Sequence, residues 1–283
     1  MNSPSNDGAG TLYVVGTPIG NLADLTPRAR EVLARAAVVA AEDTRRTQGL
    51  LSRIGLNARL IAFHEHNERE RTPELVEALA RGESVALVSD AGTPLISDPG
   101  WRLVRDARAR GIRVVPVPGP SAVIAALSAA GLPTDRFVFE GFLPRRAAQR
   151  AERLEALARE SRTLVFFEAV HRLKETLAAM AERLGAERPA VLARELTKIH
   201  ESFYTGTLGE LAARAGADIP LLGEFVILVH GAEEARTVED AEARRIYGLL
   251  AAELPPGKAV ALTAAITGLP RNTVYRLTRV EPR

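Results

Sequence analysis

Two short clusters of proton-handling side chains stand out in this 283-residue chain. Glu42-Asp43-Thr44-Arg45 ends the apolar run Val38 to Ala41, and His64-Glu65-His66-Asn67 ends the next such run. Carboxylates and imidazoles are the groups that accept a proton from a poor nucleophile or orient it. The candidate catalytic residues are therefore Glu42, Asp43, Arg45, His64 and Asn67, with a carboxylate of the first cluster as the base and His64 and Asn67 in reserve. A structural role competes for the first cluster, because its carboxylates could instead cap a helix or pair with Arg45 and Arg46. His64 and His66 alternate on an extended segment, which turns one toward a cleft and the other outward. Two histidines one residue apart, with no cysteine and no third ligand nearby, lack a complete set, so no metal is expected.

The elements that must hold these residues read as a parallel sheet. Strand-like runs at 12–15, 37–41, 59–63, 85–89 and 112–117 alternate with helical stretches such as Pro73 to Arg81 and Trp101 to Arg110, the pattern of βαβ units. In such sheets ligands sit beyond the carboxyl ends of the strands. Three Gly- and Pro-rich loops lie there: Thr17-Pro-Ile-Gly-Asn21, Asp90 to Gly100, and Pro118-Gly-Pro-Ser-Ala122. Thr26 reads as a helix cap with Pro27 at the first helical position, and the third loop leads into an apolar helix from Val123 to Ala130.

The loops narrow the ligand by what they lack. There is no G-x-x-x-x-G-K-[ST], and Gly16-Thr-Pro-Ile-Gly20 lacks the G-x-G-x-x-G spacing, so phosphoryl and hydride transfer lose ground. From Gly16 to Leu25 and from Ser89 to Gly100 the charges are Asp24, Asp90 and Asp98. A phosphorylated ligand would meet carboxylates there, whereas a cationic or zwitterionic nucleoside would suit.

Val14-Val-Gly-Thr-Pro-Ile-Gly-Asn-Leu22, Ala40-Ala-Glu-Asp-Thr-Arg45, Phe63-His-Glu-His-Asn67, Ser89-Asp-Ala-Gly-Thr-Pro-Leu-Ile-Ser-Asp-Pro-Gly100 and Val117-Pro-Gly-Pro-Ser-Ala122 occur in order. Together they resemble the tetrapyrrole (corrin/porphyrin) methylase superfamily, and within it the members that methylate small-subunit ribosomal RNA. The resemblance runs from about Thr11 to the C-terminus. It implies an α/β fold of two domains with the cofactor cleft between them, plus a small C-terminal helical module. It also implies S-adenosylmethionine as cofactor and 2′-O-methylation of a cytidine ribose in the decoding region of 16S rRNA, with the RNA or the 30S subunit as partner and a homodimer as the assembly. The cofactor positions it implies are Pro18, Gly20, Asp90, Ala91, Gly92, Thr93, Ser97, Ser121 and Ala122, with Phe167, Glu168 and Leu196 in the second domain. Ala91-Gly92-Thr93-Pro94 stands where most relatives have Gly-Gly-Asp-Pro, so the acidic residue is displaced to Asp90. A tetrapyrrole-type C- or N-methyltransferase and a cofactor binder without turnover are the other readings.

Methyl transfer from a sulfonium is an in-line displacement in which alignment supplies most of the acceleration. A ribose hydroxyl is a poor nucleophile while protonated, which is why the strand-end carboxylates matter.

Composition sets the remaining bounds. With 46% hydrophobic residues, no cysteine and a net charge of +2, and no run long enough to span a bilayer, the sequence points to a soluble cytoplasmic enzyme without thiol chemistry and without a membrane partner. Met1 to Gly10 is polar and reads as a disordered leader. The expected domains are 11–132, 133–232 and a helical module at 233–283, introduced by Glu233, Glu234, Glu239 and Asp240. The second is expected to hold a mixed sheet and a basic segment, Arg136 to Arg162. In the module, helices at Asp240 to Ala252, Lys258 to Thr267 and from Asn272 are broken by Pro255-Pro-Gly257 and Gly268-Leu-Pro270, a helix-turn-helix outline. Lys258, Arg271, Arg276, Arg279 and Arg283 face a lone Glu281 there, with Tyr275 among them. Such a segment either binds RNA or forms a cap on the main body or a second subunit.

Overall fold

The structure, a computed structural model, describes residues 10–232 and 238–278. The chain forms two compact units that divide after Gly231. The expected leader lies outside the described residues except for Gly10, as do Glu233, Glu234, Arg279, Glu281 and Arg283.

In the first unit, β1 (Thr11–Val15), β2 (Val38–Ala41), β3 (Leu60–Ala62), β4 (Val85–Val88) and β5 (Arg113–Val117) form one sheet in the order β3-β2-β4-β1-β5. Every pairing is parallel. β2 and β4 are buried at every position, as their unbroken apolar runs require of strands covered on both faces. Helices α1 (Pro27–Arg35) and α2 (Thr44–Arg53) cover one face, and α3 (Glu68–Ala80) and α4 (Trp101–Ala109) the other. Thr26 caps α1 by accepting the N–H of Ala29 at 3.1 Å. Because β4, β1 and β5 are neighbours, the three Gly- and Pro-rich loops leave the same edge side by side.

A second sheet holds β6 (Phe137–Phe142), β7 (Thr163–Ala169), β8 (Pro189–Arg194), β9 (Ser202–Thr207) and β10 (Glu224–Val229) in the order β6-β7-β10-β8-β9. β6 and β7 are parallel and the remaining pairs antiparallel. Helices α6 (Ala147–Leu157), α7 (Leu173–Leu184) and α8 (Leu208–Arg214) bury one face through Leu154, Leu177, Met180 and Leu211. The other face is buried by α5 (Ala122–Ala129), whose Val123, Ala126 and Leu127 pack on Val165, Val191, Val226 and Leu228. A fully buried aliphatic side chain contributes about 1.5–3 kcal/mol, so this apolar helix fixes the third loop between the two sheets.

The second unit comprises α9 (Val238–Glu253), α10 (Pro256–Thr267) and α11 (Arg271–Thr278), with Ala243, Ala259, Val260, Thr263 and Val274 buried.

Several elements differ from the sequence reading. α3 starts at Glu68, five residues before Pro73, because the turn at His64–Asn67 launches it and Pro73 is accommodated inside. α10 starts at Pro256 rather than after the Pro-Pro-Gly break, since proline already has helical φ and its missing N–H would be free in the first turn. The segment His64 to Asn67 is a turn, not extended, and the two imidazole rings lie edge to face with centroids 6.0 Å apart. α8 has no counterpart in the sequence reading, and α2 is the helix that the capping alternative for Asp43 requires.

Candidate active site

The three loops are joined to one another at the carboxyl edge of the first sheet. Thr17 and Gly92 exchange backbone hydrogen bonds at 2.8 and 3.0 Å, and the Thr93 hydroxyl donates to the Pro120 carbonyl at 3.2 Å. Gly16 and Gly119 pass so closely that a β-carbon on either would lie 2.7 Å from the other's backbone, which explains glycine at both.

Against them stands the second sheet, and between the two lies a cavity of about 390 Å³. Asp90, Ala91, Gly92, Thr93, Ser97, Ser121 and Ala122 line it from the first half, and Phe167, Glu168 and Leu196 from the second. Pro18 and Gly20 do not line it; Ile19 between them does. Gly20 is instead packed against the loop after β8: a β-carbon there would collide with the Lys198 side chain and lie 3.0 Å from Thr197 Oγ1. Thr197 Oγ1 also accepts the Asn21 N–H at 3.1 Å. The first loop thus seals the two halves together at Gly20 and touches the cavity at Ile19.

Sequence reasoning missed Arg46, Ile96, Asp98, Phe142, Ala169, Gly223, Glu224 and Phe225, which complete the lining. Most come from elements whose ends only packing can place. Asp98 enters the sequence reading only as a charge of the second loop.

The first catalytic cluster separates. Glu42 faces the cavity, and burial pushes its carboxyl above the ordinary value, opposed by the Asp90 N–H that reaches Oε2 at 3.4 Å. Asp43 points away. It caps α2 by accepting the Arg45 N–H at 2.9 Å and pairs with the Arg45 guanidinium, which holds its carboxyl down at about 2. The capping alternative describes Asp43 and Arg45, and so weakly basic a carboxylate is poorly matched to proton abstraction near neutrality. Asn67 is consumed structurally: its Oδ1 accepts the His64 N–H at 2.8 Å and its Nδ2 donates to the Ala62 carbonyl at 3.0 Å. Neither His64 nor Asn67 lines the cavity, although the His64 imidazole is close enough to act on the Glu42 carboxyl.

Asp98 is the other cavity carboxyl with altered acidity. Burial, reinforced by the charges of Glu42 and Asp90, pushes it up to about 6 against the hydrogen bond from the Ser89 hydroxyl. The loop carrying it is strained, with Leu95 and Ser97 at φ of 74° and 67°. Such residues persist where surrounding structure over-determines them. Here Glu68, buried on α3, accepts the N–H groups of Gly100 at 3.1 Å and Arg102 at 3.2 Å. Glu168 is likewise committed, accepting the Thr176 hydroxyl at 2.5 Å behind the cavity wall.

The cavity therefore offers the neighbouring carboxylates Glu42, Asp90 and Asp98, with Glu168 and Glu224 on the side of the second sheet, and the apolar surfaces of Ile19, Phe167, Leu196 and Phe225. Among the described residues one cation reaches it, Arg46 from α2, 3.3 Å from Asp90. These residues fit a nucleoside bearing positive charge: apolar walls for a base, carboxylates for a sulfonium or ammonium group, and no cluster of cations for phosphates.

Comparison with known proteins bears on this geometry. The profile of the Tetrapyrrole (Corrin/Porphyrin) Methylases matches residues 11–212, and that of the RsmI C-terminal HTH domain matches 237–278. The chain is 56% identical over 271 residues to ribosomal RNA small subunit methyltransferase I of Pseudomonas aeruginosa, covering 95% of this chain and 96% of that one. It is 54% identical to the protein of the same name from Xylella fastidiosa strain Temecula1, over 94% of this chain and 98% of that one. A solved structure of uroporphyrin-III C-methyl transferase from Thermus thermophilus, complexed with S-adenosyl homocysteine, superposes with a TM-score of 0.53 at 22% identity, covering 79% of this chain and 98% of that one.

Proposed function

The chain belongs to the tetrapyrrole (corrin/porphyrin) methylase family and, within it, to the ribosomal RNA small subunit methyltransferase I group, and from that premise we propose that it transfers a methyl group from S-adenosylmethionine to the 2′-hydroxyl of a cytidine ribose in 16S ribosomal RNA. The observation that carries the reading is the acid-lined cavity between two sheets in a chain that matches these methyltransferases over 94–95% of its length. S-adenosylmethionine, when bound, supplies an electrophilic methyl carbon on a positively charged sulfur. Asp90, Asp98 and Glu42 favour that charge, Ile19, Phe167, Leu196 and Phe225 take the adenine, and Ser121 with Ala122 leaves room for the methionine end.

Alignment is the chief task of the protein in such a displacement. As the ribose oxygen bonds to the methyl carbon, the carbon–sulfur bonding pair stays on sulfur and the hydroxyl proton must leave. Glu42 and Asp98 are the cavity carboxylates whose surroundings favour holding a proton, and each is better suited to it than Asp43. We assign the α/β halves to 11–132 and 133–232 and the helical module to 233–283. The setting is the cytoplasm, the substrate the small ribosomal subunit, and the working form a homodimer. Supporting the dimer, Ile124 (56% exposed) and Leu222 (67% exposed) leave apolar surface that a second copy would cover.

The test is incubation of the purified protein with methyl-labelled S-adenosylmethionine and either small subunits lacking the modification or a porphyrinogen. Label recovered as 2′-O-methylcytidine after RNA hydrolysis is the expected result. Label on the porphyrinogen alone would replace this reading with the tetrapyrrole one.

A further inference from the structure

The cavity mouth carries an aromatic ring where solvent should disfavour one. Phe142 ends β6, lines the cavity and is 55% exposed. Its orientation is built in. The β6–β7 register shifts between Phe139 and Gly141, and Gly141 has a φ of 66°; bulges of this kind re-aim the following side chain. The ring then leans on Phe167 with centroids 5.6 Å apart, and Phe167 on Phe139 at 5.0 Å.

The turn that follows is held from beneath by two guanidinium groups. Arg172 donates to the carbonyls of Leu143 at 2.9 Å and Pro144 at 3.3 Å. Arg150, only 3% exposed, donates to the Arg145 carbonyl at 3.5 Å and pairs with Glu175. Arg150 is thus spent as a support and is no candidate for phosphate contact. Burying a cation is costly unless it is paired and hydrogen-bonded, and a surface turn does not need two such supports merely to fold. Their effect is to fix the backbone from Leu143 to Arg145 while Arg145 and Arg146 stay exposed, their side chains in no ion pair among the described residues.

We propose that Phe142 to Arg146 is a preorganised platform for the RNA substrate, with a nucleobase stacked on Phe142 and adjacent phosphates on Arg145 and Arg146. This rests on the RNA methyltransferase reading and adds the surface by which a single strand is held at the cavity. An aromatic face takes any base by stacking, and unpaired arginines take phosphates. A rigid support removes part of the ordering cost of binding. Arg153, which also lies in the basic segment, is excluded because it forms two hydrogen bonds to Glu140.

The experiment measures binding of a short fluorescein-labelled oligocytidylate and of unmodified small subunits across a salt series, with calorimetry of S-adenosylmethionine alongside. Phe142→Ala should weaken oligocytidylate binding about tenfold, the worth of a stacked base, with an unchanged salt slope, while Phe142→Trp keeps wild-type affinity. The Arg145→Gln/Arg146→Gln variant should flatten the log–log slope by about 0.7 per arginine. The double-arginine variant should bind S-adenosylmethionine as the parent does, and Phe142→Ala should lose more affinity for RNA than for the cofactor. Unchanged RNA binding in Phe142→Ala, or weakened cofactor binding with RNA binding intact, would overturn the platform; the second result makes Phe142 a cofactor wall. If thermal melting shows Phe142→Ala to be unfolded, the tryptophan and double-arginine variants decide. A wild-type protein that neither binds nor methylates RNA removes the function reading and the platform together, whereas an active wild type matched by Phe142→Ala removes the platform alone.

Discussion

The Asp90 carboxylate accepts the backbone N–H of Asp43 at 2.9 Å while the Asp90 N–H reaches the Glu42 carboxylate at 3.4 Å, so the ends of β2 and β4 hold each other through the carboxylates that line the cavity. Arg46 completes the arrangement at 3.3 Å from Asp90 and partly offsets its charge. Removing Arg46 leaves that charge to the ligand. Arg46→Ala should therefore tighten binding of cationic S-adenosylmethionine relative to neutral S-adenosylhomocysteine, by about threefold because so exposed a pair is well screened. Calorimetry with both ligands reads the ratio; an unchanged ratio places the sulfonium away from Asp90.

Asp98 makes the protein sensitive to pH. Its carboxyl is pushed up to about 6 from an ordinary 3.8, so the folded state favours the protonated form. Relative to a neutral side chain, its contribution is fully present below about 4 and is lost as pH rises through 6. Asp98→Asn should match wild type in thermal stability at pH 4 and exceed it at pH 7. A cationic ligand should also expel the Asp98 proton. Calorimetry at pH 6 in buffers of different ionisation enthalpy should detect release of a fraction of a proton in the wild type and less in the variant.

Glu42 and Asp43 should separate by experiment. Glu42→Gln is expected to slow single-turnover transfer by roughly 10²-fold, with the deficit shrinking as pH rises and with cofactor affinity falling far less than the rate. Asp43→Ala should lower the melting temperature slightly through the lost cap, with a much smaller effect on transfer. Equal rate losses in the two variants would restore Asp43 to the chemistry.

Truncation after Gly231 follows the division between the compact units. The shortened protein should bind S-adenosylmethionine as the full chain does and lose RNA affinity, its salt slope flattening by about 0.7–0.9 for each lost phosphate contact. Lys258, Arg271 and Arg276 are exposed and available for those contacts, whereas Arg245 is paired with Glu242. An unaltered slope would make the module a cap or an assembly element.

Gly20→Ala tests the seam between the α/β halves. The new methyl must displace Lys198, which also binds Glu195 at 2.7 Å and Glu224 at 3.0 Å. Overpacking of this kind costs about 1–3 kcal/mol. A lowered melting temperature with weakened cofactor binding is expected; loss of cofactor binding at unchanged stability would return Gly20 to the cofactor.

What the sequence disclosed follows from which forces are local. The buried strands β2 and β4 and the Thr26–Pro27 start of α1 carry their causes within a few residues, and the strand order converts adjacent loops into one site. The start of α8 is equally local, since Thr207 and Glu210 form a complete capping box. Asp43 was ambiguous because a strand-end carboxylate and a helix cap have the same sequence signature; only the direction of its side chain decides. Phe142 and Phe225 could not be seen as cavity residues, because the exposure of Phe142 depends on a bulge and the placement of the buried Phe225 on a strand pairing distant in sequence. Arg150 stands in the basic segment yet is buried for a related reason, as its partner Glu175 lies on another helix.

Glu68 gives the loop that carries Asp98 an anchor outside itself. α4 has no side-chain cap of its own at Gly100, and the carboxylate that serves its first turn is supplied by α3. The stretch from Ser89 to Trp101 is therefore not a transplantable unit. Exchanging it alone between homologues would import a loop whose tether stays behind in the donor, so a chimera should work only when position 68 travels with it, and natural variation in the two segments should be inherited as a pair.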